Sequence, residues 1–545
     1  MSLSTRPRHV PLLWILVPFA TGIALAGSVS PALTPLLLGI AASASLTAYL
    51  ASKRNAALWH LALVAAVLCA GMLRYHSLPA AQAQVDSFPP REATLDLRIT
   101  RLFDSSNPDI HLGLAETLHA PAYLSQLAGH RIYFALESSP DGPPPLEGET
   151  VRTFGVARPL VERDDKSRFI DYLKHQGVTA TIKQGFIKSR LRAASPFRRY
   201  LLLAQNKLSS VLENNRRPDS PYSGAYKALM LGKKGELSEE QKNLFLANGA
   251  MHLFAISGLH IGVIAICIHH FLLVFRIKGA ALPVFSLVLI LCFVLVTGGS
   301  ASSWRALLMI ACLYLSHGSQ RQSSPVSALA LSAIIYLFIL PNQLFQAGFQ
   351  MSYLTVASIL LFGLPMAKTL NRISPLFSQI PRSAQSMFQK AAVVSKTWLL
   401  NSFAISLSAY IASSILGLLY FEILPVYGVF TNLIALPLAS LAIVSGFLSL
   451  ILSPLTPILP LSELFNNAAL LIIKIIHGCL SLTEKLPFAT LAPSHLRDLL
   501  ILPAFLTIFL LMAFAYSRTG GSKSALRWQT TPLLATAAAI YFCFF

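Results

Sequence analysis

The stretch HLFAISGLHIGVIAICIHHFLLVF, residues 252–275, decides the fold. It contains no Asp, Glu, Lys or Arg. At about 1.5 Å per residue it is long enough, as a helix, to cross the ~30 Å hydrocarbon core of a bilayer. Yet it begins with His252, Ser257 and His260, polar groups that are costly in lipid and therefore functional candidates. Read as one helix at about 100° per residue, with His252 at the origin, His260 lies at roughly 80° and Ser257 at roughly 140°. Gly258 and Gly262 then lie at roughly 240° and 280°, a small-xxx-small pair suited to close helix packing. The expectation is a helix with a polar arc on one side and a glycine seam on the other.

The rest of the chain has the same character. Of its 545 residues 54% are hydrophobic and only 12% charged, far too apolar for a soluble protein of this size. Spans are expected near residues 10–27, 30–50, 57–74, 251–275, 279–297, 302–317, 326–341, 347–364, 398–421, 425–453, 462–483, 498–516 and 529–545. The first is not read as a cleaved signal peptide, because a second apolar run follows without a clear cleavage site. Residues 425–453 are rich in Pro and Gly (Pro425, Gly428, Pro437), which predicts a broken or re-entrant start.

Charge placement orients these spans. Residues 75–250 hold 19 acids and 23 bases, and the remainder holds 4 acids and 20 bases. With Arg6 and Arg8 placed in the cytoplasm, the connecting segments on that side collect 15 bases, including Lys368, Arg372, Arg382, Lys390 and Lys396 in one loop. This is the positive-inside pattern, and it also favours anionic lipids or an anionic cargo. All six cysteines fall in expected spans, with spacing that suits neither zinc nor a disulfide framework.

The same count puts residues 75–250 outside the membrane. ATLDLRITRLF, HRIYFAL, TVRTFGVARPL and VTATIKQGFI alternate like strands, with SSPDGPPPLEGE as a turn, so a small barrel of five or so strands is expected. From Pro196 to Asn215 the period becomes helical and amphipathic, predicting a helix lying on the membrane or on the barrel. LSEEQKNLFLANGA predicts a further helix capped by Ser238, with Gln241 three residues on.

Three other spans begin as the first one does. TGGSASSWRALLM carries Arg305 about one turn into a span. AGFQMSYLTVAS carries Gln350, Ser352 and Tyr353, and YFEILPVYGVFTNLIALP carries Tyr427, Thr431, Asn432 and Pro437. The topology aims all four N-termini outward, where their unpaired N–H groups favour an anion. The aromatics Phe254, Trp304, Phe349, Tyr353 and Tyr427 suit either a core or the stacking of bases. Ser257 and His260 could form a nucleophile and base, but no orienting carboxylate lies nearby in sequence. There is no Walker A motif and no H-x-H-x-D-H motif. No catalytic residue, metal site or cofactor is expected.

At this point the chain resembles a known family. ALMLGKKGELSEEQKNLFLANGAMHLFAISGLHIG (Ala228–Gly262) is similar to the signature of the ComEC family of competence DNA-uptake channels. TGGSASSWRALLM, PNQLFQAGFQMSYLTVA and GVFTNLIALPL follow in the same order, and RFIDYLKHQGVTATI resembles the end of that family's OB-like external domain. The resemblance implies a polytopic α-helical protein of the bacterial inner membrane, about 13 spans, with an extracytoplasmic OB-like β-barrel between spans 3 and 4. Expected parts are N-terminal transmembrane helices (1–75), the barrel domain (76–193), amphipathic connecting helices (194–250), a channel domain (251–516) and a C-terminal loop and last span (517–545).

The implied function is passage of single-stranded transforming DNA into the cytoplasm. Implied partners are a periplasmic DNA receptor and cytoplasmic DNA-translocating or strand-binding proteins. Pore candidates are His252, Ser257, His260, Arg305, Gln350, Ser352, Tyr427 and Asn432. Packing candidates are Gly258, Gly262 and Pro437. Many relatives end in a metallo-β-lactamase-like domain, whereas this sequence stops at Phe545, which implies a short form with a separate nuclease or a truncated chain. The external domain also lacks the cysteines that some relatives pair. The competing readings are a small-molecule or lipid transporter and an intramembrane serine hydrolase.

Overall fold

The computed structural model describes residues 12–51, 55–77, 88–103, 105, 107, 109–137, 144–160, 168–213, 221–318, 324–381, 383–456, 458–491, 506–512, 514 and 530–538. Three apolar helices open it: α1 (Leu13–Ala26), α2 (Thr34–Ala51) and α3 (Ala56–His76). Asn55 caps α3, its Oδ1 accepting from Ala57 N and Leu58 N at 3.1 Å each. Glycines let α1 and α3 approach backbone to backbone. A Cβ on Gly22 would sit 2.0 Å from Leu68 O, and one on Gly71 2.3 Å from Phe19 O.

A closed five-stranded barrel follows, in the order β1-β2-β3-β5-β4. Its strands are β1 (Arg91–Phe103), β2 (Ile110–His119), β3 (Arg131–Glu137), β4 (Thr150–Pro159) and β5 (Val178–Arg192), with helix α4 (Arg168–His175) between the last two. All pairs are antiparallel except β3 with β5. Closure removes the exposed edges that a small sheet would otherwise present. Inward residues such as Leu95, Leu97, Ile99, Ile132, Phe134 and Ile182 fill it, and Leu124 and Leu127 from a 3-10 turn are buried in the same core. Each contributes about 1.5–3 kcal/mol by leaving water. Strand β2 does not stand out in the sequence, because Gly113 and Ala115 dilute its alternation. A Cβ on Gly113 would sit 2.3 Å from Arg101 O.

The connecting helices are α5 (Pro196–Glu213), α6 (Ser223–Leu231) and α7 (Glu239–Ala247), and the start of α5 touches the barrel domain, where Arg198 pairs with Glu147. Leu212, Tyr226, Leu231, Leu244 and Phe245 enter the same core as the long apolar helices that follow. Tyr226 donates to Asn466 Oδ1 at 2.8 Å, and Asn466 Nδ2 donates to Val211 O at 2.9 Å. Lys227 is paired with Glu213 and Glu236. The later turns of α5 thus bury against helices, while Phe197, Tyr200 and Leu203 near its start stay exposed. The cap at Ser238 forms as the sequence predicts, with Gln241 N donating to Ser238 Oγ at 3.1 Å.

The remaining helices are α8 (Gly258–Val274), α9 (Ala281–Val296), α10 (Ala301–Gly318), α11 (Pro325–Ile339), α12 (Ala347–Ser358), α13 (Leu364–Ile373), α14 (Met387–Phe421), α15 (Gly428–Leu452) and α16 (Leu461–Glu484). A π-turn at Ile359–Gly363 joins α12 to α13. A two-residue ladder, β6 (Leu424–Pro425) with β7 (Thr490–Leu491), precedes α15, and Glu422 adopts a left-handed backbone at φ 57°. That is the broken start that the Pro and Gly content predicts. Residues 506–512 and 530–538 are also helical, and the rest of the last two expected spans lies outside the described residues.

Five helices are long and apolar enough to cross a membrane: Ala56–His76, Ala347–Ile373, Met387–Phe421, Gly428–Leu455 and Leu461–Glu484. Six shorter ones are as apolar. Val274, Phe275, Leu315, Phe338 and Leu441 turn outward and are exposed, as a bilayer requires and water disfavours. The chain is a membrane protein with a small barrel domain.

Candidate functional site

Helices α8, α10, α12, α14 and α15 form a closed ring. Each packs on the next, α15 packs back on α8, and pairs across the ring make at most marginal contact among the described residues. Helices α9, α11, α13 and α16 pack on its outside. Four of the five ring helices begin with the polar motifs singled out in the sequence.

These starts are stitched together at one end of the ring. Ser300, before α10, donates to Ile256 O, before α8, at 3.3 Å. Arg305 Nη2 on α10 donates to Gly348 O at the start of α12 at 2.7 Å. Tyr420, near the end of α14, donates to Gln350 Oε1 at 2.9 Å. Thr431 on α15 donates to Asn248 O at 3.3 Å. Helix α14 runs opposite to its neighbours, so its end joins their starts.

The opening stretch is not one helix. Residues 251–254 form a 3-10 turn, Ala255 and Ser257 are extended, and α8 starts at Gly258. His252 therefore sits before the break, its Nδ1 3.0 Å from Gly249 O, so the two histidines do not share one helix face, although they remain near enough to interact electrostatically. Ser257 is the N-cap. His260 Nδ1 lies 2.8 Å from Ser257 Oγ and 3.4 Å from Ser257 N, so the pair closes its own helix end. His260 is 2% exposed, and its Nε2 has no partner where a triad would place a carboxylate. The expected glycine seam does not form among the described residues: a Cβ on Gly258 or Gly262 would meet nothing within 4 Å, so none of the described helices packs closely there. Pro437 stands inside α15 and is half-buried.

Arg305 is 2% exposed and pairs with no carboxylate among the described residues; the sequence holds no acid from residue 251 to 421. Three rings enclose it: Tyr336 at 6.0 Å, Phe349 at 5.8 Å and Tyr353 at 5.4 Å from the guanidinium carbon. Nη2 also donates to Ser302 Oγ at 3.1 Å, while Nε and Nη1 have no protein partner. A planar cation over ring faces is favourable without a counter-ion. Phe349 and Tyr353 are thus used by Arg305, and Phe254 is buried 4.5 Å from Phe245, so these aromatics are closed to bases in this conformation.

Gln350 also donates to Leu344 O at 2.9 Å. Ser352 is half-buried. Tyr427 donates to Pro487 O at 3.0 Å, fastening α15 to the segment after α16. Asn432 is 8% exposed with Oδ1 unpartnered. Sequence reading missed Tyr336, Tyr420, Asn248 and Ser300. The last three lie inside the quoted motifs, and the signal for Tyr336 is that a buried arginine without acids must find ring faces or carbonyls. Among the described residues no three His, Cys, Asp or Glu side chains gather as a metal site would need.

The barrel has separate electrostatics. Arg152 makes two bonds to Asp96, at 2.7 and 2.9 Å, and holds that carboxyl below its usual range. Arg98 pairs with Glu116. Burial, aided by nearby Arg190, lowers the pKa of His111.

A barrel domain joined to a ring of apolar helices with polar starts defines a helical membrane protein with a small barrel domain. Comparison with known proteins gives the lineage. Residues 229–518 match the Competence protein family, more than half of the sequence and all five helices of the ring. The chain belongs to that family and is of the ComEC type. Over 144 residues it is 30% identical to ComE operon protein 3 of Bacillus subtilis (strain 168), covering 26% of this chain and 18% of that protein. No solved structure matches.

Proposed function

We propose that this protein is a channel in the bacterial inner membrane that carries single-stranded transforming DNA into the cytoplasm. The observation that supports it most is the closed ring of five helices with four motif-bearing starts stitched at one end. A strand carries one negative charge per nucleotide, so its path needs polar groups and an unneutralised positive potential. Arg305 supplies that potential from between α10, α11 and α12, held without a counter-ion at the end of the ring where the motifs begin. Gln350, Ser352, Tyr427 and Asn432 line or brace that mouth, and Ser257 with His260 fixes where α8 begins.

In this reading the helices make about 13 spans with the N-terminus inside, following the positive-inside count. The barrel stands in the periplasm and α5 to α7 lead from it into the ring. A periplasmic DNA receptor delivers the substrate, and cytoplasmic DNA-translocating or strand-binding proteins draw it in. Anionic lipids contact the basic cytoplasmic loops.

The test is uptake of labelled DNA and transformation frequency in a strain lacking the gene. Complementation uses wild type, Arg305→Glu and Ser257→Ala. Loss without the gene, rescue by wild type and by Ser257→Ala, and failure of Arg305→Glu support the channel. Normal uptake in the deletion strain refutes it.

A further inference from the structure

Residues 187–200, where β5 runs out of the barrel and into α5, read IKSRLRAASPFRRY, five bases and no acid. The fold gathers three of those bases at one cleft. A half-open cavity of about 360 Å³ is lined by Glu149, Arg190, Arg192 and Arg199, with Leu146 and Leu191 as apolar walls. That volume lies within the range of small-ligand sites.

The charges there do not cancel. Glu149 is 3% exposed and is bound by Arg190 Nη1 at 2.9 Å and by Leu146 N at 2.9 Å, so one arginine is balanced and the carboxylate is saturated. Arg198 is paired outside the cleft with Glu147. Arg199 Nε donates to Ala194 O at 3.1 Å, which aims the guanidinium without neutralising it. Arg192 and Arg199 have no carboxylate partner among the described residues. Two uncancelled guanidinium forks in one cleft match the paired oxygens of a phosphodiester. One turn into α5, Phe197 and Tyr200 are 59% and 69% exposed and present free ring faces three residues apart. They do not line the cleft but flank Arg198 and Arg199 in the chain, and cationic forks with free rings close by in sequence suit a single strand, bound through phosphates and bases together.

We propose that this cleft is a phosphodiester site that holds the backbone of a single DNA strand as it passes from the barrel to the helical ring. The proposal rests on the channel reading above and adds a fixed binding step before the ring. Anionic lipid headgroups share the phosphodiester chemistry, but the free rings and the position at the barrel's exit favour the strand.

The test uses the full chain in nanodiscs of phosphatidylcholine and fluorescein-labelled dT20, with anisotropy read over a series of KCl concentrations. Arg192→Gln/Arg199→Gln is expected to bind about tenfold more weakly at 0.1 M salt, with a log–log salt slope shallower by about 1.4, or ~0.7 for each phosphate no longer neutralised. Should the double variant misfold, Arg192→Gln alone is expected to lose about 0.7 of slope. Tyr200→Ala is expected to weaken binding severalfold at unchanged slope. Arg131→Gln, on β3 beside the far end of β5, is the control matched in charge to Arg192→Gln and is expected to bind as wild type.

If wild type binds the strand and the double variant binds equally well, the cleft proposal is overturned and the channel reading stands. If the double variant binds the strand normally but loses phosphatidylglycerol from mixed-lipid nanodiscs, the cleft is a lipid site and the proposal is overturned. If wild type binds no strand at any salt and the deletion strain still takes up DNA, both readings fall.

Discussion

Replacing Arg305 with methionine separates a structural role from a functional one. The side chain gains about 1 kcal/mol from each of three ring faces at 5.4–6.0 Å. It gains about 2 kcal/mol from each of its bonds to Ser302 Oγ and Gly348 O. Against this stand several kcal/mol for taking a guanidinium out of water and about 2 kcal/mol for each of two unmade donors. The two sides match to within a few kcal/mol, so the charge is nearly neutral for stability. Methionine fills much of the volume, keeps contact with Tyr336, Phe349 and Tyr353, and removes the desolvation cost. The expected result is a variant whose unfolding free energy is within about 3 kcal/mol of wild type, in either direction. DNA uptake is expected to fall tenfold or more, because the mouth of the ring loses its unneutralised cation. The assays are thermal unfolding of the purified protein and transformation frequency in the complemented deletion strain. Uptake at the wild-type level by a stably folded Arg305→Met protein would refute the assignment of Arg305 to the path.

Other expectations follow from the same geometry. Ser257→Ala removes the cap of α8 and should cost about 0.5–2 kcal/mol of stability, measured by thermal unfolding, while uptake stays within a few-fold of wild type; abolished function at normal expression would instead revive a nucleophilic role. Gly262→Ala should be tolerated or stabilising by up to about 1 kcal/mol, since an added methyl meets nothing within 4 Å, and a clear loss in melting temperature would show a packed seam after all. Gly185→Ala should destabilise the barrel by about 1–3 kcal/mol or more, because its Cβ would lie 1.9 Å from Phe154 O, and limited proteolysis of residues 91–192 reports it. For Asp96, whose folded pKa is depressed by Arg152, the ion pair contributes stability above about pH 4 that is lost as pH falls through the lower folded value. Asp96→Asn should therefore flatten the acid limb of the barrel's stability curve, and an unchanged limb counts against the pair.

Much of the architecture was legible in the sequence. Apolar runs located every described long helix of the membrane part, because a bilayer leaves the backbone no alternative to helix. Alternation located four of the five strands, and β2 escaped because its glycine and alanine are chosen for close packing rather than pattern. The capping box at Ser238 and the broken start of α15 were also legible, since both are set by neighbouring residues. The site was less so. His252 and His260 are eight residues apart in an apolar run, and nothing local announces the extended link at Ala255–Ser257. The link is held from outside, by Ser300 donating to Ile256 O. The same holds for α5, whose amphipathic period fits a membrane surface and a helical core equally well.

Sequence alone determined what must be satisfied within a few residues: helix against strand, apolar length, the scarcity of acids and the family motifs. The tertiary structure decided what depends on partners far along the chain. It closed α8, α10, α12, α14 and α15 into a ring, turned the Ser257–His260 pair inward as a cap, and placed Tyr336, Phe349 and Tyr353 around Arg305. The reason is physical. A buried cation or orphan amide is satisfied by whichever carbonyl or ring face comes near, and nearness across tens or hundreds of residues is fixed only when the helices pack.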